Sequence, residues 1–114
     1  LPFWYSAAQL FVYPSSYEGS GLPVIEALAC GAPTITTDAS SLPEAAGDAA
    51  LLVPPDDIAA LAETISRVLA DSNLRSGLAA RGPAQAARFT WQDCARDTAN
   101  TYARALGLPE LAQN

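Results

Sequence analysis

The sequence of 114 residues contains no lysine, no histidine and no methionine. Its basic side chains are six arginines, and its formal net charge is −6. Because non-specific binding to nucleic acid or to an anionic membrane needs a basic surface, this charge argues against both partners. Histidine is the commonest general base and a frequent metal ligand, so its absence argues against a histidine-based catalytic or metal site.

Long hydrophobic runs are also missing, since proline and glycine interrupt every apolar segment before it is long enough to span a bilayer. The first residues have neither an initiator methionine nor the basic flank of a secretory signal. We therefore interpret the chain as a cytoplasmic piece of a longer protein. Cys30 and Cys94 are far apart in sequence, and free buried thiols are favoured over a disulfide or a metal site.

Half of the residues are hydrophobic, and short apolar segments alternate with segments of helical periodicity. Such alternation predicts an α/β domain with parallel strands, right-handed crossovers and helices following the last strand. About three strands are expected, which is part of a doubly wound, Rossmann-like sheet. The predicted strands are 9–13, 34–37 and 50–53, and the predicted longer helices are 23–31, 58–69, 72–88 and 91–106.

Two details of the C-terminal helices are predicted from local sequence. The Gly82-Pro83 pair predicts a kink or a break in the helix over 72–88, because proline cannot donate an intrahelical hydrogen bond. Thr90 and Asp93 predict a capping box at the start of the last helix. The packing face of that helix is expected to comprise Trp91, Ala95, Thr98, Ala99 and Tyr102.

The loop over 15–22 is the strongest candidate for a binding site. It follows a predicted strand, contains Gly19 and Gly21, and precedes a helix that Pro23 is suited to open. Ligands of open α/β sheets bind beyond the carboxyl ends of the strands, where backbone amides and a helix dipole attract phosphate. Without a lysine or a nearby arginine, phosphate binding by this chain would depend on amides alone.

Two glutamates flank the glycines of this loop, Glu18 just before Gly19 and Glu26 within the helix, with seven residues between them. A carboxylate inside the first helical turns can accept hydrogen bonds from a vicinal diol such as a ribose. A pair of carboxylates is also typical of glycoside hydrolases, although their placement fits ligand binding better. The same residues are equally typical of an ordinary strand-to-helix turn, with glycine for geometry and glutamate for helix charge.

Four segments of the sequence together resemble the C-terminal domain of retaining GT-B glycosyltransferases of the family 4, or group 1, type. They are Phe11–Ser15, Glu18–Pro33, Ser41–Val53 and Arg88–Trp91, and the similarity covers nearly the whole chain. The resemblance implies that residues 1–114 form part of a domain that binds a nucleotide-diphosphate sugar. It further implies transfer of a hexose with retention of configuration, without a metal or other cofactor, in polysaccharide, lipopolysaccharide or glycolipid synthesis.

The resemblance also implies roles for individual residues. Glu26 would hold the ribose hydroxyls, and Glu18 would lie beside the sugar as the candidate catalytic residue. Ser20 occupies a position where the family often has an aromatic residue. Because of this difference, the resemblance does not identify which sugar is bound. The residues expected to bind the nucleotide sugar are Glu18, Gly19, Ser20, Gly21, Leu22 and Glu26.

The family's N-terminal acceptor-binding domain and its phosphate-neutralising arginine and lysine are not found in this sequence. We therefore expect the isolated chain to be inactive, and the longer protein to lie in the cytoplasm or at the inner membrane face. An alternative hypothesis is a non-catalytic module that forms a homodimer. In that case the open sheet edge at 9–13, or the last helix, would recruit the second copy.

Overall fold

The computed structural model describes residues 1–112. A short helix α1 (Pro2–Ala7) precedes strand β1 (Phe11–Tyr13), and helix α2 (Leu22–Ala29) connects it to strand β2 (Thr34–Thr37). Helix α3 (Leu42–Ala46) leads to strand β3 (Ala50–Val53). Three further helices follow, which are α4 (Ile58–Ala70), α5 (Ser72–Ala86) and α6 (Trp91–Leu106). The predicted α/β organisation is confirmed.

The sheet has three parallel strands in the order β1-β2-β3. Ile35 of the central strand lies opposite Val12 on one side and Leu51 on the other. Strand β2 is buried throughout, whereas all of β1 is only half-buried. Because β1 pairs on one side only, its outer edge is open within the described residues.

Two hydrophobic clusters pack on opposite sides of the sheet. One joins α2, α3 and α5 and is centred on the fully buried Leu28 and Leu42. The other joins β2, β3 and α4 and is centred on Ile35 and Val68.

Of the predicted kink or break at Gly82-Pro83, the break is wrong, because α5 continues through Pro83 to Ala86, and the kink stays a prediction. Two tertiary contacts hold the second half of this helix in place. The Gln85 side-chain amide donates to the carbonyl oxygens of Glu44 and Ala45, at 3.2 Å each. Gly82 packs directly on the backbone of Leu28. These contacts stabilise the helix where proline removes one of its own hydrogen bonds.

Helix α6 begins as predicted, since the Thr90 hydroxyl oxygen accepts from the Asp93 amide at 3.0 Å. Its expected packing face does not pack on the described chain. Trp91 is 78% exposed and Tyr102 is 68% exposed. The buried residue of α6 is instead Asn100, whose side chain pairs with the backbone of Leu111 in the segment that follows.

Candidate functional site

The candidate loop lies where the sequence places it, between the carboxyl end of β1 and the first turn of α2. Gly21 is the N-cap of α2 and has a left-handed backbone with φ 67°. A Cβ atom at this position would lie 2.9 Å from Leu42 Cδ2. Gly21 is therefore required both for the backbone conformation and for the close packing of the loop on α3.

The amides of the loop are available to a ligand. Among residues 1–112, no acceptor takes a hydrogen bond from the backbone amides of Gly19, Ser20, Gly21 or Leu22. The next amides, of Val24 and Ile25, are already bonded to the Gly21 carbonyl oxygen at 3.0 and 3.2 Å. The N–H groups of residues 19–22 therefore have no partner among the described residues, and they lie at the N-terminus of α2, where an anion is favoured.

Glu18 is held by four hydroxyl groups. Its Oε1 atom accepts hydrogen bonds from the hydroxyls of Tyr13 at 2.7 Å and Ser15 at 2.9 Å. Its backbone N–H donates to Ser40 Oγ at 2.8 Å, and its carbonyl oxygen accepts from the Ser41 hydroxyl at 3.0 Å. Both the main chain and one carboxylate oxygen of Glu18 are therefore fixed by the protein itself.

Glu26 is half-buried on α2 and contacts helix α1. Its Oε2 atom accepts a hydrogen bond from the Tyr5 hydroxyl at 3.0 Å. Beside this contact, Glu26 lines an apolar cavity of about 390 Å³ together with Leu1, Pro2, Tyr5, Ala29 and Cys30. It also lines a second cavity of about 380 Å³ between α2 and the end of α5. Neither of these cavities includes Glu18, so the two glutamates face separate surroundings in the described chain.

Two tyrosines next to the glutamates have raised pKa values. The hydrogen bond to Glu18 is the main cause for Tyr13, followed by burial and the charge of the same carboxylate. Burial is the main cause for Tyr5, followed by its hydrogen bond to Glu26. Since a raised pKa keeps a phenol protonated, both hydroxyls remain hydrogen-bond donors to their carboxylates at neutral pH.

The glutamates of the site have no arginine partner within the part of the chain that the structure describes. No hydrogen bond or ion pair there joins an arginine to Glu18 or Glu26. Nor do the described cysteine, aspartate and glutamate side chains form a group that could hold a metal ion. Between residues 1 and 112, no helix is long and apolar enough to cross a membrane.

Cys30 and Cys94 are both free, as expected, but neither thiol is buried, since Cys30 is half-buried and Cys94 is exposed on α6. Sequence reasoning also missed the hydroxyl groups around Glu18. Ser40 and Ser41 had a usable signal, because they follow β2 directly and the carboxyl ends of neighbouring parallel strands lie side by side. The hydrogen bond from Tyr5 to Glu26 gives no signal in the sequence, because it depends on the docking of α1 on α2.

The fold and the loop together define a Rossmann-like α/β domain with its free amides at the carboxyl edge of the sheet. The family model described as "Glycosyl transferases group 1" matches residues 1–85. The chain therefore belongs to the glycosyl transferases group 1 family, and its fold is that of the GT-B glycosyltransferase domains.

Individual relatives agree with this assignment. The O-antigen chain mannosyltransferase B of Escherichia coli is 47% identical over 102 residues, covering 90% of this chain and 27% of that protein. A sucrose-phosphate synthase from Thermosynechococcus elongatus superposes with a TM-score of 0.77 at 37% identity, covering 91% of this chain and 27% of that one.

A third relative is a solved domain of similar extent. The C-terminal domain of a glycosyl transferase group 1 family protein from Francisella tularensis superposes with a TM-score of 0.66 at 33% identity. The match covers 75% of this chain and 45% of that one. This chain thus spans only part of the length of each relative.

Proposed function

We propose that this chain is the donor-binding part of a glycosyltransferase that moves a hexose from a nucleotide-diphosphate sugar to an acceptor. The observation that carries the proposal is the row of four free amides, Gly19 to Leu22, at the start of α2 with a glutamate on either side. Transfer with retention of configuration, and without a metal ion, is part of the same proposal.

The amides are proposed to bind the diphosphate. Four N–H groups without a protein partner at a helix N-terminus supply partial positive charge and hydrogen bonds without a basic side chain. Gly19 has no heavy atom within 4 Å of the position where a Cβ would stand, so a ligand can approach the backbone closely there. Ser20 is exposed next to it and would contribute its amide.

The glutamates are proposed to bind hydroxyl groups on either side of the diphosphate. Glu26 would accept hydrogen bonds from the ribose, and Glu18 would lie beside the hexose as the catalytic residue. Each carboxylate has one oxygen bonded to tyrosine, namely Glu18 Oε1 to Tyr13 and Glu26 Oε2 to Tyr5. The second oxygen of each carboxylate accepts no hydrogen bond from the described residues and is the atom we assign to the ligand.

The remaining features of the reaction are assigned outside this chain. We propose that an acceptor-binding domain and basic groups that neutralise the diphosphate come from the longer protein, in the cytoplasm or at the inner membrane face. Polysaccharide, lipopolysaccharide or glycolipid synthesis is the proposed setting, and the E. coli relative named as a mannosyltransferase makes mannose the first hexose to test. The isolated chain is expected to bind the nucleotide sugar weakly and to transfer nothing.

Titration calorimetry with UDP- and GDP-hexoses, including GDP-mannose, tests this function. We expect weak, saturable binding of a nucleotide sugar that the matching nucleoside diphosphate displaces. Failure of every nucleotide sugar to bind, or binding that the nucleoside diphosphate does not displace, would contradict the proposal.

A second candidate function is assembly through the open edge of β1. The half-buried strand Phe11–Tyr13 pairs with β2 only, and an unpaired edge can recruit another chain. We propose a homodimer formed across this edge or across the exposed face of α6. Light scattering at high protein concentration is expected to show a dimer, and a monomer under those conditions would rule this assembly out.

A further inference from the structure

The main chain of Glu18 is held from both sides by two consecutive serines. Ser40 Oγ accepts the Glu18 N–H at 2.8 Å, and the Ser41 hydroxyl donates to the Glu18 carbonyl oxygen at 3.0 Å. Both serines lie between β2 and α3, more than twenty residues along the chain. The pair therefore fixes, from the segment after β2, the residue that directly precedes the free amides.

The strained backbone of Ser40 indicates that the serine hydroxyl has a role at this position. Ser40 has φ 47°, a left-handed conformation that costs energy for a residue with a Cβ and that glycine adopts freely. Glycine would be the less strained residue at this position. The hydrogen bond to Glu18 is the contact in the structure that offsets the strain of a serine.

The two serines continue a series of hydroxyl contacts from the same segment. Thr36 Oγ1 donates to the Tyr13 carbonyl oxygen at 2.8 Å, and Thr37 Oγ1 donates to the Ser15 carbonyl oxygen at 2.6 Å. Residues 36–41 thus hold the end of β1 and the loop beyond it at successive points. The last of these points is Glu18.

We propose that Ser40 and Ser41 are positioning residues, which aim the free carboxylate oxygen of Glu18 at the hexose of the nucleotide sugar. The inference rests on the proposed function and names the residues that make Glu18 effective in it. Tyr13 and Ser15 fix the carboxylate end of the side chain, and the two serines fix its backbone end. A side chain held at both ends is preorganised and loses little freedom when it binds the sugar.

This arrangement predicts a loss of affinity that depends on the sugar. The variants Ser40→Gly and Ser41→Ala remove one hydroxyl each, and Ser40→Gly also relieves the strained backbone, so its melting temperature is expected to be equal or higher. Each variant should bind the nucleotide sugar about fivefold more weakly. This is the change in affinity expected when one ordinary hydrogen bond is lost. Binding of the nucleoside diphosphate, which has no hexose, should be unchanged.

Two controls separate positioning from a general effect on the fold. Ser41→Thr keeps the hydroxyl and is expected to retain the affinity of the unaltered chain. Ser66→Ala removes an exposed serine of α4 far from the loop and should change neither ligand's affinity. Hydrogen exchange of the Glu18 amide, measured by NMR, is expected to be about fivefold faster in Ser40→Gly, since its acceptor is lost.

The outcomes distinguish this inference from the function on which it rests. No binding of any nucleotide sugar by the unaltered chain would overturn the proposed function. Binding by the unaltered chain, with the variants losing affinity equally for nucleotide sugar and nucleoside diphosphate or losing none, would overturn the positioning role alone. Unchanged exchange of the Glu18 amide in Ser40→Gly would overturn the contact itself.

Discussion

Replacement of Gly82 by alanine is expected to destabilise the chain by about 2–3 kcal/mol, even though alanine is the better helix former. A Cβ atom at Gly82 would lie 2.6 Å from the Leu28 carbonyl oxygen and 3.3 Å from the Leu28 Cα. These are backbone atoms, which cannot rotate away. Helices α2 and α5 would have to separate, and the buried Leu28 and Leu78 would lose packing contacts.

Gly77→Ala is the matched control for Gly82→Ala, since both residues lie in α5. A Cβ atom at Gly77 would meet only Arg81 Nη1, at 3.8 Å. We expect this variant to gain up to about 1 kcal/mol from helix propensity. Urea unfolding followed by circular dichroism measures both changes. Equal stabilities of the two variants would show that α2 and α5 do not approach as closely as described.

Replacement of Glu26 by glutamine is expected to weaken nucleotide-sugar binding about ten- to hundredfold, the range for a lost hydrogen bond to a charged group. The Tyr5 hydroxyl donates a hydrogen bond to Glu26 at 3.0 Å. Glutamine has the same size as glutamate, and its carbonyl oxygen can still accept this hydrogen bond. The contact between α1 and α2 is therefore retained while the charge is lost. Calorimetry with the nucleotide sugar measures the effect.

Glu63→Gln provides the control for charge, because Glu63 is exposed on α4 and away from the loop. This variant removes one negative charge as Glu26→Gln does, and its affinity should match that of the unaltered chain. If both variants weakened binding equally, the effect would reflect net charge. If Glu26→Gln bound as tightly as the unaltered chain, Glu26 would not contact the ligand.

The strands and most of the helices were predictable from sequence because their signals are local. Pro54 and Pro55 end β3, Gly107 ends α6 in a left-handed conformation, and Asp57 caps α4 through the Ala60 amide at 2.9 Å. Each of these depends on residues within one or two turns of the chain. The loop before α2 was found for the same reason.

The features that sequence analysis missed are set by contacts between distant segments. Pro83 predicted a break, but Gln85 and Gly82 hold α5 to α3 and α2 across about forty residues or more. The hydroxyl contacts to Glu18 from Ser40 and Ser41 depend on the pairing of β1 with β2. The exposed face of α6 has the periodicity of a packed helix, and periodicity alone does not say whether a partner lies in the same chain.

The most direct test of the central claim is a ¹⁵N NMR titration of the chain with GDP-mannose, UDP-hexoses and the corresponding nucleoside diphosphates. The account predicts saturable shifts of the backbone amide signals of Gly19, Ser20, Gly21 and Leu22 with at least one nucleotide sugar. The amide of Glu18, already bonded to Ser40, should shift less. Shifts confined to other parts of the chain, or none at saturating concentrations, would contradict the claim that this loop binds the diphosphate.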